Sequence, residues 1–102
     1  MIIVVAFDVD NTLIWQEADL VGGVLVPKGE PAPHYKNIDL FKHFERCGCH
    51  MVIWSGGGMD YAKRWAEKLG LKAEIREKKL ANVVDIAVDD QDVILGKVNL
   101  KV

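Results

Sequence analysis

The sequence predicts an α/β protein, a sandwich built on a mostly parallel sheet, and three observations carry that prediction. Short continuous apolar runs such as "VVAF" and "MVIW" read as strands covered on both faces, as in parallel sheets. Between them lie stretches with apolar residues three and four apart, the spacing of a helix buried along one stripe. The elements alternate β-α-β-α-β-β, and strands linked in this way join through right-handed crossovers.

The first strand is expected over Ile2–Phe7, a mostly β-branched run that stops at Asp8. From Trp15 to His34 the chain is rich in glycine and proline, and "LVGGVLV" reads as two brief extended pieces around a glycine turn. A β-hairpin flap over about residues 16–33 is therefore expected. Residues 36–47 place Leu40, Phe41, Phe44 and Cys47 on one helical stripe, with Asn37 as the expected cap and Gly48 as the stop. His50–Trp54 is the next strand. "SGGG" breaks it before Met59, Ala62, Ala66 and Leu69 define a second helix that closes at Gly70. Ala73–Ile75, Val83–Val88 and Val98–Val102 complete the expected strands.

At 102 residues the chain is expected to form one domain over residues 1–102. Half of its residues are hydrophobic and 27% charged, a globular composition. A net charge of −2, from 13 basic and 15 acidic residues, offers no bulk attraction for nucleic acid. Met1–Phe7 is apolar but too short to span a bilayer and lacks the features of a secretory signal, so an intracellular, cytoplasmic protein with no membrane partner is expected. Cys47 and Cys49, one residue apart, are poorly spaced for a disulfide and suit reduced thiols.

Ligands of open parallel sheets bind beyond the carboxyl ends of the strands. Asp8 and Asp10 follow the first strand, Ser55 the second, and Asp89 and Asp90 the strand at Val83–Val88. Four acids at one rim repel strongly unless a cation is present, and hard oxygen donors without imidazole or thiolate favour Mg²⁺. Mg²⁺ beside a carboxylate suits phosphoryl transfer, with the carboxylate attacking phosphorus. Ser55, with Gly56, Gly57 and Gly58 opening a helix, supplies a hydroxyl and free backbone N–H groups to hold a phosphate. Lys78 and Lys79 precede the last acids and are placed for one of them to reach the same rim.

"DVDNTL", "VIWSGG", the Lys78-Lys79 pair and "DIAVDD" resemble, in order, the four motifs of the haloacid dehalogenase (HAD) superfamily. The ordered set extends from Ile2 to Asp90, nearly the whole chain. The resemblance implies a three-layer Rossmann-like sandwich with the first strand central, a small turn after Thr12 and, at this length, a flap but no cap domain. Carried over, Asp8 resembles the nucleophile and a Mg²⁺ ligand. Asp10 resembles the general acid/base, with its carbonyl on the metal. Asp89 and Asp90 resemble the further metal carboxylates, Ser55 the phosphoryl-binding hydroxyl, and Lys79, or else Lys78, the lysine that orients Asp8. Thr12, Gly56 and Gly57 belong to the loops that hold the phosphate. An aspartate at position 10 points to hydrolysis within the superfamily, and so to a Mg²⁺-dependent phosphatase acting through an aspartyl-phosphate.

A non-hydrolytic domain on a similar scaffold, receiver-like or partner-binding, is the alternative. A receiver would place its lysine after the last acids rather than before them. The substrate expected is phosphorylated, its class open: an uncovered site suits a bulky phosphate, whereas a partner subunit acting as lid would favour a small one. Val21, Val24, Leu25 and Val26 would make an adhesive hairpin if exposed, which allows for a homo-oligomer.

Overall fold

A computed structural model describes residues Met1–Val102. In chain order the elements are β1 (Val4–Phe7), β2 (Ile14–Trp15), β3 (Ala18–Val21), β4 (Val24–Pro27), β5 (Ala32–Pro33), α1 (Tyr35–Arg46), β6 (His50–Ile53), α2 (Met59–Leu69), β7 (Glu74–Ile75), β8 (Val84–Asp89) and β9 (Gly96–Lys101). The strands expected for the sheet are all present, displaced at their ends by one or two residues. Five of them form one parallel sheet in the order β7-β6-β1-β8-β9. The chain is thus an α/β protein with β1 at the centre of its sheet. No helix is long and apolar enough to cross a membrane.

Side chains of β1 and β6 alternate between two clusters. Val5, Phe7, Met51 and Ile53 pack with Ile38 and Phe41 of α1 and with Ala62 and Ala66 of α2. Ala6, Val52, Trp54, Val84 and Ala87 form a separate cluster on the opposite face, with Leu95 against it. Both helices therefore lie on one face. The cause is topological: β1, β6 and β7 follow one another in a single direction, so two right-handed crossovers fall on the same side. The return to β8 and β9 runs the other way, through connections without helices. The three-layer arrangement expected is corrected accordingly: one helical layer covers the sheet, and the second face is closed by loop residues such as Leu95.

Phe41 and Phe7 meet edge to face at 5.2 Å, anchoring α1 to the central strand. The expected cap of this helix is also corrected. His34 takes the N-cap position, and Asn37 lies inside the first turn, buried, where its Nδ2 donates to the carbonyl of Thr12 at 2.9 Å. A side chain that looks like a local cap is spent on a tertiary bond, because the Thr12 carbonyl would otherwise be buried without a partner. Asp85, inside β8, finds its partners at the strand margin: the amide of Val4 donates to it at 2.7 Å and Lys97 lies 3.3 Å away.

The flap is a hairpin. Ala18 to Val21 pair antiparallel with Val24 to Pro27, and Gly22 and Gly23 turn the chain with φ of +56° and +81°, the left-handed pair a two-residue hairpin requires. The β2–β5 ribbon closes its base, pairing Ile14 with Pro33 and Trp15 with Ala32. Every residue of β3 and β4 is exposed.

Candidate active site

The site begins with register. Phe7 pairs with Val88 across the central parallel strands, so the residues that follow, Asp8 and Asp89, emerge side by side at the carboxyl rim. The amide of Asp8 still donates to the Val88 carbonyl at 3.0 Å, which fixes the point where the strand ends. Beyond it the chain folds tightly: the amides of Thr12, Leu13 and Ile14 all donate to the Val9 carbonyl at 3.0–3.2 Å, and Asn11 takes a left-handed φ of +59°, which its short polar side chain tolerates. Asp8 and Asp89 are buried, and Asp90 is half-buried behind them. Carboxylate oxygens of these three residues lie within 4.8 Å of one another.

One ammonium enters this cluster. Lys78 Nζ stands 3.0 Å from Asp8 Oδ1 and 2.7 Å from Asp89 Oδ2. Burial works against its charge, but hydrogen bonds to Asp89 and Asp8 outweigh that and hold its pKa above the ordinary lysine value. Asp8 is pushed the other way. Burial raises its pKa to about 6 in spite of the hydrogen bond from Lys78, and the neighbouring Asp89 charge adds to the rise. Lys78 offsets one of three negative charges, so the cluster remains attractive to a further cation. The donors suit Mg²⁺: hard carboxylate oxygens, close together, with no cysteine or histidine among them.

Ser55 follows β6 and is buried, its Oγ accepting a hydrogen bond from the Gly57 amide at 3.0 Å. Gly57 is closely packed, since a Cβ there would approach the Tyr61 ring at 3.3 Å and Ser55 Oγ at 3.4 Å. Gly56 and Gly57 line a cleft of about 260 Å³ together with Asp8, Asp10, Lys78 and Asp89. The amide-bearing loop and the acidic cluster thus face one space. Asp10 is exposed at its mouth and accepts a hydrogen bond from the Tyr61 hydroxyl at 2.5 Å.

Three expected site residues do not line the cleft: Ser55 is buried beneath the Gly56–Gly57 loop, and Lys79 and Thr12 lie elsewhere. Lys79, preferred over Lys78 on the sequence, is exposed and pairs with Glu77 at 3.3 Å; the connection after β7 turns its predecessor inward instead. Thr12 is fully buried beneath the loop, with Oγ1 3.5 Å from Asp90 Oδ1, and does not line the cleft, so it props an acid rather than facing a phosphate. Tyr61 was not anticipated. Its sole sequence signal is an aromatic in the first turn of the helix that follows the glycine loop, a position indistinguishable by spacing from an ordinary core residue.

Beside the cleft, sharing Asp10 and Asn11 with it, runs a groove of about 480 Å³ between the base of the flap and α2. Comparison of the chain with family models, with curated proteins and with solved structures yields no match.

Proposed function

We propose that the chain is a Mg²⁺-dependent phosphohydrolase of the HAD type, without a cap domain, that cleaves a phosphomonoester through an aspartyl-phosphate on Asp8. The observation that carries this reading is the meeting of Asp8, Asp89 and Asp90 with Lys78 in one cleft walled by Gly56 and Gly57. The tight turn after Val9 and the small insertion between β1 and α1 support it.

Asp8, Asp89 and Asp90, with the Asp10 carbonyl, would hold Mg²⁺, which when bound neutralises phosphoryl oxygens and polarises the phosphorus. Lys78 keeps Asp8 oriented and supplies positive charge beside the phosphoryl group. The backbone N–H of Gly56, next to the Gly57 amide that is held by Ser55 Oγ, receives a phosphoryl oxygen. A carboxylate oxygen of Asp8 attacks phosphorus while the ester P–O bond breaks, and the leaving oxygen takes the proton of the Asp10 carboxyl group. Asp10, now a carboxylate, removes a proton from water. The water oxygen attacks phosphorus, the acyl-phosphate P–O bond breaks, and Asp8 and inorganic phosphate are released. Tyr61 holds Asp10 at the cleft mouth through both steps.

Phosphate release from phenyl phosphate, with and without Mg²⁺, in wild type and Asp8→Asn, tests the reading. Release that needs both the metal and Asp8 is expected. Unchanged turnover in Asp8→Asn would remove Asp8 from the chemistry, and phosphate binding without turnover would assign a non-hydrolytic role.

A further inference from the structure

Resting on the hydrolytic reading above, we propose that the groove beside the cleft seats the leaving group, and that this group is a flat, uncharged ring. Asp10 gives its proton to the leaving oxygen, so the leaving group departs on the side of Asp10. The groove opens there: Asp10 and Asn11 line both spaces. Its other walls come from four separate elements, with Ile14 and Trp15 on β2, Ala18 on β3, Leu25 and Pro27 on β4, and Tyr61 on α2. A cavity of about 480 Å³ falls within the range of about 300–1,000 Å³ typical of small-molecule sites.

The chemistry of the walls narrows the occupant. Trp15 is 42% exposed, leaving aromatic surface free for a ring to pack against. Asp10 is the only charged residue lining the groove, and neither lysine, arginine nor histidine joins it. A second phosphate or a carboxylate on the leaving group would find no partner and would face the Asp10 charge. A planar apolar ring suits the walls formed by Trp15, Ile14, Leu25 and Pro27, where a bisphosphate or a carboxylated leaving group does not.

The test is the ratio of kcat/KM for phenyl phosphate to that for glycerol 2-phosphate, which differ in the ring while sharing the reaction at phosphorus. In Trp15→Ala this ratio should fall about tenfold or more, the worth of an aromatic contact with its buried area. Leu25 is 69% exposed on the hairpin, so Leu25→Ala keeps the test open should Trp15→Ala not fold, and its ratio should fall as well. 4-Carboxyphenyl phosphate should be cleaved more poorly than phenyl phosphate, and Leu25→Lys should narrow that gap. Phenylphosphonate, which cannot be hydrolysed, should quench tryptophan emission in wild type and not in Trp15→Phe, while methylphosphonate should leave both unchanged. A free aryl phosphate and a tyrosine-phosphorylated peptide both present such a ring, and the larger kcat/KM names the source. Ratios unchanged in both variants, with turnover still dependent on Asp8, would overturn the ring proposal and leave the phosphatase reading standing. Loss of Asp8-dependent turnover on every substrate would overturn both.

Discussion

Tyr61 donates its phenolic hydrogen to Asp10 across 2.5 Å, joining the first turn of α2 to the loop after β1. Burial, reinforced by that hydrogen bond, raises the tyrosine pKa, so the hydroxyl stays protonated at neutral pH and remains a donor. Tyr61→Phe keeps the ring and removes only the bond. Turnover should fall about 10- to 100-fold with KM changed less than about threefold, the pattern of a misplaced acid/base rather than a lost binding surface. Steady-state kinetics beside an unchanged circular dichroism spectrum would establish this; equal turnover would show that Asp10 needs no support.

Adjacent lysines should behave very differently. Lys78 touches two buried carboxylates, whereas Lys79 is paired with Glu77 at the surface. Lys78→Met should lower turnover by about a thousandfold, and Lys79→Met by less than about twofold. The Lys78 variant should also lose about 1–3 kcal/mol of stability in chelator, because two buried carboxylates lose their shared partner. Urea titration of both variants separates the cases, and comparable losses from either lysine would contradict the geometry.

Asp8→Asn should abolish turnover and yet stabilise the metal-free protein. The pKa of Asp8 is raised from 3.8 to about 6 by burial, so the folded state binds its proton more tightly than the unfolded chain does. Stability contributed at this position therefore falls as pH rises from about 4 to about 6. Asparagine carries no charge to bury. The Tm of the variant at pH 7.5 in chelator should exceed that of wild type, with a stability gain of about 1–3 kcal/mol that shrinks as pH falls from about 6 and is gone below about 4. Adding Mg²⁺ should raise the wild-type Tm by more than that of the variant, and the reverse order would place the metal elsewhere.

Glu74 gives the opposite pH response. Its pKa is lowered to about 2, first by the hydrogen bond from Arg76 and then by that from His50. A carboxylate held down in this way contributes stability above its ordinary range and loses it as pH falls from about 4.5 toward 2. The partners are substantially exposed, which limits the contribution to about 1 kcal/mol at most. Glu74→Gln should thus unfold slightly earlier than wild type at pH 7 and together with it near pH 2. Thermal melts at the two pH values decide the matter, and a gap that widens in acid would reverse the sign.

The parts of this architecture legible in the sequence are those set by local pattern. Apolar runs ending in Asp8 and Asp89, and helical stripes through Phe41 and Ala66, follow from periodicity alone, and parallel register then brings the acids together. What pattern does not encode is direction in three dimensions. Asn37 looks like a cap until α1 meets the loop after β1, and only then does its bond to Thr12 exist. Lys78 and Lys79 are equivalent as letters; the path of the chain after β7 tells them apart. The missing helical layer likewise follows from the connections into β8 and β9, whose lack of a helix leaves no periodicity to read.

The position of β1 also sets the order in which the molecule can be assembled. Val5 pairs with Met51 on one side and with Ile86 on the other, so the strand synthesised first is flanked only after most of the chain exists. Closing so large a loop costs entropy before any contact repays it, which makes acquisition of the native sheet slow and strongly non-local. Until Val84–Asp89 arrives, the unpaired edge of Val4–Phe7 is open to strands of other nascent chains. The same late pairing sets Asp89 beside Asp8, so the acidic cleft forms only as folding finishes.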